Sequence, residues 1–215
     1  MKIFKRIDLN PINMNLYLEA FTHTSYSNEN PSYVSYERLE FLGDAILEFV
    51  VSEYLYKEWH LEEGIMTKMR ASYVCEKALS TYAKELKLEE DIKLGGCETV
   101  PNDTILADVF EAFVAALYLD QGMDYVKKFI LDTVTKYIKD GVDFLQDYKS
   151  KLQELVQTDK QSVTYEVIKE EGPSHNKTFT VEVKVDDIVM GIGKGSSKKA
   201  AEQEAAKNAL EKQAK

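Results

Sequence analysis

The spacing of apolar side chains divides the chain into a helical part and a mixed part. Through most of residues 13–139, apolar residues recur every three to four positions, which is the period of a helix buried on one side. A loop rich in Ser, Asn and Pro over residues 24–35 and a glycine, Gly64, interrupt this period. The pattern predicts helices over residues 13–23, 37–59, 66–74, 76–86, from the N-cap Asp103 to Gly122, and 124–139.

A different pattern begins after residues 141–147. Residues 178–185 alternate apolar and polar side chains, as a half-buried strand does, and residues 163–169 and 188–192 also resemble strands. Helices are predicted before and after them, over 148–158 and 197–212, with a hairpin turn at Asp186-Asp187. We therefore predict an all-α domain over residues 1–142 and a small α+β domain, ordered α-β-β-β-α, over residues 147–215.

The charge of the protein is unevenly distributed along the chain. The net charge of −10 by itself argues against a nucleic-acid partner. Residues 1–146 hold 15 Lys and Arg against 25 Asp and Glu, a net of −10, whereas residues 147–215 hold 12 of each, a net of zero. The second part also has a basic cluster at Lys194, Lys198 and Lys199. A neutral domain with a basic cluster is compatible with phosphate binding.

Composition indicates where in the cell the protein is expected and whether its cysteines are reduced. The longest apolar runs are too short to cross a bilayer, and the basic N-terminus lacks the apolar core of a signal peptide. Cys75 and Cys97 form neither a CxxC pair nor a disulfide framework, and the three histidines form no zinc-binding pattern. We expect a cytoplasmic protein with two reduced thiols and no membrane partner.

Four carboxylates lie in two strongly apolar helices. Glu40 and Asp44 are spaced i, i+4, and Asp108 and Glu111 are spaced i, i+3, so each pair shares one helix face. Residues 39–56 and 94–125 contain no Lys or Arg. Because a buried, unpaired carboxylate is costly, each pair needs a positive charge from elsewhere in the fold or from a bound cation. For an arbitrary helical acid, a solvated face or an ion pair is the more common outcome, and Arg38, Lys68 and Arg70 are the candidate partners here.

Several motifs carry a resemblance to a known family. The segment Glu37-Arg-Leu-Glu-Phe-Leu-Gly-Asp44 resembles the signature of the ribonuclease III family, and residues 105–112 resemble its second acidic motif. Residues 20–26 are similar to the family's THxSY-like stretch. The stretches 147–154, 172–175 and 193–202 resemble a double-stranded RNA-binding domain.

The resemblance implies a metal-dependent endoribonuclease that cuts double-stranded RNA to 5′-phosphate and 3′-hydroxyl ends and works as a homodimer. It implies Mg²⁺ as the cofactor, with Mn²⁺ as a substitute, and no organic cofactor. Ribosomal RNA precursors and messenger RNA are the expected substrates. Matched to the motifs, Glu40, Asp108 and Glu111 are expected metal ligands, and Asp44 and Glu111 expected catalytic residues. Glu37 and Glu63 are further acidic positions, and Phe41 is an expected dimer contact, whereas Leu42 is assigned to the core.

The resemblance also implies an RNA-binding surface on the second domain. Contacts with the minor groove are expected from the first helix and the hairpin loop, and contacts with phosphate from the start of the last helix. The expected residues are Ser150, Gln153, Glu154, His175, Lys194, Ser197, Lys198 and Lys199. Residues 95–103 lack the basic side chains that many relatives carry before the second motif. The alternative function is a non-cleaving, regulatory double-stranded RNA-binding protein, which would be expected to have lost one of the four carboxylates.

Overall fold

A computed structural model describes residues 1–96, 100–145, 147–158, 161–173 and 177–213. The chain divides into two compact units, Met1–Leu145 and Gln146–Lys215. The first unit is helical: α1 Ile3–Arg6, α2 Met14–Ala20, α3 Thr24–Glu29, α4 Glu37–Glu58, α5 Glu63–Tyr73, α6 Glu76–Glu85, a 3₁₀ turn Leu88–Glu90, α7 Asp103–Gln121 and α8 Met123–Lys139. Over the described ranges, no helix is both long and apolar enough to cross a membrane.

Helix α7 forms the centre of the first unit. Eleven of its nineteen residues are buried, on all of its sides, so it is a core helix rather than a surface one. Helix α4 packs against it through a stripe at helical spacing that includes Leu39, Gly43, Ile46 and Val50. The two helices that carry the acidic motifs are therefore each other's neighbours.

The predicted N-cap of α7 was wrong by one residue. The Asn102 side chain accepts a hydrogen bond from the Ile105 N–H at 2.9 Å, and Asp103 is the first helical residue. The Asp103 carboxylate instead pairs with Lys84 and, at 3.7 Å, with Lys77. The predicted stop is confirmed, because Gly122 ends α7 with a φ of +85°, a conformation that glycine adopts without strain.

Three other boundaries in the first unit differ from the prediction. The predicted loop over residues 24–35 begins with a helix, α3, whose N-cap is the side chain of His23. The predicted helix over residues 13–23 is shorter, because Asn13 caps α2 and the helix ends at Ala20. Gly64 lies inside α5 rather than before it. The short α1 and the 3₁₀ turn have no counterpart in the sequence pattern.

The second unit has the predicted order α-β-β-β-α: α9 Tyr148–Thr158, β1 Val163–Glu171, β2 Thr178–Val185, β3 Ile188–Gly195 and α10 Lys198–Gln213. The sheet is antiparallel in the order β1-β2-β3. Alternate residues of β2 face α9 and α10, so Val181, Val183 and Val185 are buried. Asp186 and Asp187 have φ values of +47° and +66°, as a two-residue turn between twisted strands requires.

Alternate glycines of β3 allow α10 to lie directly on the sheet. A Cβ on Gly193 would lie 2.2 Å from the Ala205 backbone nitrogen, and one on Gly191 would lie 2.3 Å from the Ala205 carbonyl oxygen. Gly195 faces Ala201 in the same way, at 2.6 Å. The three glycines of this Gly-x-Gly pattern therefore let α10 pack closely on the sheet along much of its length.

Candidate active site and RNA-binding surface

The two acidic motifs meet where the backbones of α4 and α7 come into contact. A Cβ on Gly43 would lie 1.9 Å from the carbonyl oxygen of Glu111, a separation that no side chain tolerates. Glu40 precedes Gly43 by three residues and Asp44 follows it directly, so this contact brings both beside Glu111. The backbone contact between Gly43 and Glu111 thus assembles one acidic site from two helices.

Burial and mutual repulsion act on these carboxylates. Glu111 is partly buried, and burial together with the charges of Asp44, Glu40 and Asp108 raises its pKa to about 8. Burial, then the charge of Asp108, raises the pKa of Glu40 above its usual range. The pKa of Asp108 is also raised, chiefly by burial. Without a cation, the site opposes full ionisation.

The charge of these acids is not balanced by a lysine or arginine of the described ranges. In the part of the chain that the structure describes, none of the four carboxylates forms an ion pair with a lysine or arginine. Arg70, one candidate partner, instead donates to the Ser52 hydroxyl at 3.3 Å. Among the same residues, no three acidic, His or Cys side chains already converge as ligands of a single ion. Asp44, Glu40 and Asp108 nevertheless all lie close enough to Glu111 for their charges to raise its pKa.

Tyr36 is a site residue that the sequence reasoning missed. It is the N-cap of α4, it is 3% exposed, and its hydroxyl donates to Asp108 Oδ2 at 3.1 Å. Glu76, at the start of α6, contributes to the raised pKa of Asp108, whereas the nearby His23 opposes it. Tyr36 stands directly before the signature, but its link to a residue 72 positions away is not readable from local pattern.

The other residues predicted for this domain lie outside that cluster. Glu37 is exposed and accepts a hydrogen bond from the Ser35 hydroxyl at 3.1 Å. Glu63 accepts from the Thr67 hydroxyl at 3.0 Å and lines a surface cavity with Ser52. Ser52 lies eight residues beyond Asp44 on α4, about 12 Å along the axis, so Glu63 is not brought to the four acids within one chain.

Phe41 and Leu42 differ in exposure although they are neighbours on α4. Phe41 is 83% exposed, whereas Leu42 is partly buried and packs against the core. Phe41 directly follows Glu40, so its exposed ring lies on the helix that carries Glu40 and Asp44. Phe41 is accordingly available for contact with another molecule.

The predicted RNA-binding side chains of the second unit that the structure describes lie on α9, at the end of β3 and at the start of α10. On α9, Gln153 and Glu154 are exposed, and the Ser150 hydroxyl donates to the Asp147 carboxylate at 2.5 Å. That contact closes the first turn of α9. The predicted residue His175 lies outside the described residues.

At α10, the basic cluster and the helix N-terminus coincide. The Ser197 hydroxyl accepts from the Ala200 N–H at 3.1 Å, which makes Ser197 the N-cap. Lys198 and Lys199, the first two helical residues, are exposed, and Lys194 is exposed on β3. Lys198 also lies 3.4 Å from the Glu170 carboxylate. Helix N–H groups and lysine ammonium groups together attract anions such as phosphate.

A helical unit with four facing carboxylates, joined to an α-β-β-β-α unit with a basic helix start, defines the class of endonucleases that act on double-stranded RNA. Comparison with known families agrees. Residues 13–138 match the sequence model described as ribonuclease-III-like, and residues 148–213 match the double-stranded RNA binding motif. The chain therefore belongs to the ribonuclease III family, the double-strand-specific endoribonucleases, as the motifs at 37–44 and 105–112 predicted.

Individual relatives cover nearly the whole chain. Ribonuclease 3 of Onion yellows phytoplasma is 43% identical over 217 residues, covering 99% of this chain and 91% of the relative. Ribonuclease 3 of Halalkalibacterium halodurans is 46% identical over 218 residues, covering 97% and 83%. A solved nuclease domain of ribonuclease III from Campylobacter jejuni, described as flexible in a region involved in dimer formation, matches with a TM-score of 0.58 and 34% identity. The match covers 63% of this chain and 95% of the Campylobacter jejuni domain.

Proposed function

We propose that this chain hydrolyses phosphodiester bonds in double-stranded RNA with Mg²⁺ held by Glu40, Asp108 and Glu111, Mn²⁺ being a substitute. The products carry 5′-phosphate and 3′-hydroxyl ends. Residues 1–142 form the nuclease domain and residues 147–215 the RNA-binding domain. The observation that carries the proposal is the contact of Gly43 with Glu111, which joins two acid pairs that form no ion pair with a lysine or arginine among the described residues.

The donor set fits a hard divalent cation. Mg²⁺ prefers carboxylate oxygens, uses few protein ligands and keeps waters for a phosphate substrate. Burial, and after it the charges of neighbouring carboxylates, raise the pKa values of Glu40, Asp108 and Glu111, and a bound divalent cation would favour their ionised forms. When bound, the ion would acidify a coordinated water and stabilise the leaving oxygen of the phosphodiester.

The side chains of the site have distinct roles in this proposal. Glu111, beside all three other acids, holds the metal and is the residue most sensitive to substitution. Asp44 is exposed, whereas the three proposed ligands are partly buried, so Asp44 can orient the attacking water beside them. Glu37 and Glu63 are supporting acids: Glu37 contributes charge near Glu40, and Glu63 acts near the cleavage site of the assembled enzyme.

RNA binding is assigned mainly to the second unit. Lys194, Lys198 and Lys199 contact phosphates, with the Ser197-capped helix start adding its N–H groups. Ser150, Gln153, Glu154 and His175 contact the minor groove, where 2′-hydroxyls and A-form shape are recognised. Because the first unit carries the whole excess of negative charge, it has little affinity of its own for a polyanion.

The working form proposed here is a homodimer in the cytoplasm. Phe41, 83% exposed on the signature helix, is the proposed central contact between copies. The proposed substrates are ribosomal RNA precursors and structured messenger RNAs. No organic cofactor is required, because Mg²⁺ and water supply the reaction.

A cleavage assay on a long RNA duplex tests the proposal. With Mg²⁺ at low salt, the unchanged protein should cut the duplex, and Glu111→Gln should lose cutting by at least 100-fold while binding RNA normally. Glu58→Gln, which changes an exposed acid at the end of α4, is the matched control and should cut at the normal rate. An unchanged protein that binds duplex RNA but never cuts it would favour the non-cleaving regulatory alternative.

A further inference from the structure

The segment 21–25, part of the THxSY-like stretch, joins three pieces of backbone near the acidic site. The Tyr36 N–H donates to the Thr22 carbonyl at 3.0 Å. The Lys93 N–H donates to the Phe21 carbonyl at 2.8 Å, and the His23 N–H donates to the Lys93 carbonyl at 3.1 Å. Thr22 is fully buried. The segment therefore fixes both the residue before α4 and the approach to α7.

Tyr36 connects this junction to Asp108. Its backbone is held by Thr22, and its hydroxyl donates to Asp108 Oδ2 at 3.1 Å. Its ring lies against the His23 ring, with centroids 5.7 Å apart. At 3% exposure, Tyr36 cannot reach an RNA strand, so its effect on the reaction has to pass through Asp108.

The same junction also holds the loop before α7. The Ser25 hydroxyl accepts from the Gly95 N–H at 2.9 Å and lies 2.7 Å from His23 Nδ1. A Cβ on Gly95 would lie 2.6 Å from the Ser25 carbonyl oxygen, so the loop sits directly on α3. Contacts thus run from Gly95 through Ser25 and His23 to Tyr36 and Asp108.

We propose that Tyr36 is a positioning residue for Asp108, and that the segment 21–25 holds Tyr36 in place for this task. The inference rests on the proposed metal site. A carboxylate that accepts a buried phenol O–H loses much of its freedom to rotate about its terminal bond. Asp108 then presents its oxygens to an ion in one orientation, and the THxSY-like stretch serves metal binding without contacting metal.

Replacing Tyr36 by Phe removes only the hydroxyl. We expect Mn²⁺ affinity to fall about tenfold or more, the usual effect of losing an outer-shell partner of a metal ligand. The Mg²⁺ concentration for half-maximal cleavage should rise by a similar factor, with cleavage restored at saturating Mg²⁺. The KM for duplex RNA at saturating Mg²⁺ should not change, because Tyr36 is buried.

Tyr17 provides a matched control. It is also fully buried and also donates its hydroxyl to a carboxylate, Asp120 Oδ2, at 2.6 Å. Asp120 lies twelve residues beyond Asp108 on α7, about 18 Å along the axis. Tyr17→Phe should therefore lower the melting temperature and leave Mn²⁺ affinity unchanged.

The experiment titrates Mn²⁺ into each full-length protein without RNA and follows the EPR signal of the free ion. Equal affinities for the unchanged protein and Tyr36→Phe would overturn the inference while leaving the metal site intact. So would an equal loss in Tyr17→Phe, because the effect would then be one of general stability. Absence of Mn²⁺ binding by the unchanged protein would overturn the metal site itself, and the positioning role with it.

Discussion

Gly43 of α4 and Glu111 of α7 touch through their backbones, with 1.9 Å separating an ideal Gly43 Cβ position from the Glu111 carbonyl oxygen. Because the acids flank this contact, the helix spacing that glycine permits also sets the spacing of the acids. A glycine at position 43 is therefore needed both for the packing of α4 on α7 and for the placement of the four carboxylates.

Gly43→Ala should therefore displace α4 from α7. Relieving a 1.9 Å overlap with backbone requires a shift of 1 Å or more, since backbone cannot rotate away as a side chain can. We expect cleavage to fall by about 100-fold, as misplacement on this scale can cause, and the free energy of unfolding to fall by about 1–3 kcal/mol. Duplex cleavage and thermal unfolding measure the two effects.

Gly64→Ala is the control for that variant. Gly64 also lies in a helix, α5, but no heavy atom lies within 4 Å of its ideal Cβ position. It should cut RNA normally and gain up to about 1 kcal/mol of stability from the higher helix propensity of alanine. If Gly43→Ala behaved like Gly64→Ala, the close approach would not be what positions the acids.

The pKa of Glu111 predicts how stability depends on pH when metal is removed. The folded value of about 8 lies above the ordinary glutamate value of 4.5, so at intermediate pH the folded state holds a proton that the unfolded state has lost. In EDTA, the unchanged protein should therefore lose stability as pH rises from 4.5 to 8. Glu111→Gln should lose less stability over this range and be more stable than the unchanged protein by roughly 2 kcal/mol at pH 8.5. This is less than the roughly 5 kcal/mol that the whole difference between 4.5 and 8 would give, because Glu111 is only partly buried and solvent screens its charge.

Adding Mg²⁺ should reverse the order of the two proteins at pH 8.5. The ion binds the folded, unchanged protein and raises its melting temperature, whereas Glu111→Gln has lost a ligand and gains little. Glu58→Gln serves as the control, with a pH profile parallel to that of the unchanged protein. Identical profiles for Glu111→Gln and the unchanged protein in EDTA would contradict the burial of charge at this site.

Local pattern predicted most of this fold because most of its elements bury an apolar face. Helix α3 was missed for the opposite reason: none of its six residues is buried, so it has no apolar period to detect. It is held instead by the His23 side-chain cap and by Gly95, 70 residues away from Ser25. Such tertiary support leaves no signal in a short window of sequence.

The candidate site was predictable to a similar extent. The spacing of Glu40 and Asp44 on one helix, and of Asp108 and Glu111 on another, follows from helical geometry. That the two pairs face each other depends on Gly43, and that Asp108 is held by Tyr36 depends on a contact across 72 positions. Both are tertiary relationships. The family resemblance indicated that the two acid pairs share one site, but no feature of the sequence indicated the contact between Tyr36 and Asp108.

The basic start of α10 predicts a salt-dependent contribution to RNA binding. Lys198→Gln combined with Lys199→Gln should weaken binding of duplex RNA of any sequence. Each lost phosphate contact should reduce the slope of log affinity against log salt by about one. Fluorescence anisotropy with one duplex at several salt concentrations measures that slope.

Lys184→Gln is the matched control for the lysine pair. Lys184 lies in the same unit, but it pairs with Glu166 at 2.6 Å and Glu182 at 3.0 Å on the sheet. Its replacement should leave the salt slope unchanged. An equal loss of slope per lysine replaced in the two variants would mean that net charge, rather than the capped start of α10, determines binding.

If Phe41 is the central contact of the proposed dimer, its substitution should change the oligomeric state of the protein. Phe41→Asp places a charge at a position that is 83% exposed in the isolated chain but buried in the proposed dimer, where an unpaired charge is strongly unfavourable. Sedimentation should show a dimer for the unchanged protein and a monomer for Phe41→Asp, with cleavage lost in proportion. Ile12→Asp, at an apolar position that is 80% exposed outside the signature helix, should remain a dimer. A Phe41→Asp protein that stays dimeric and cuts normally would exclude Phe41 from the interface.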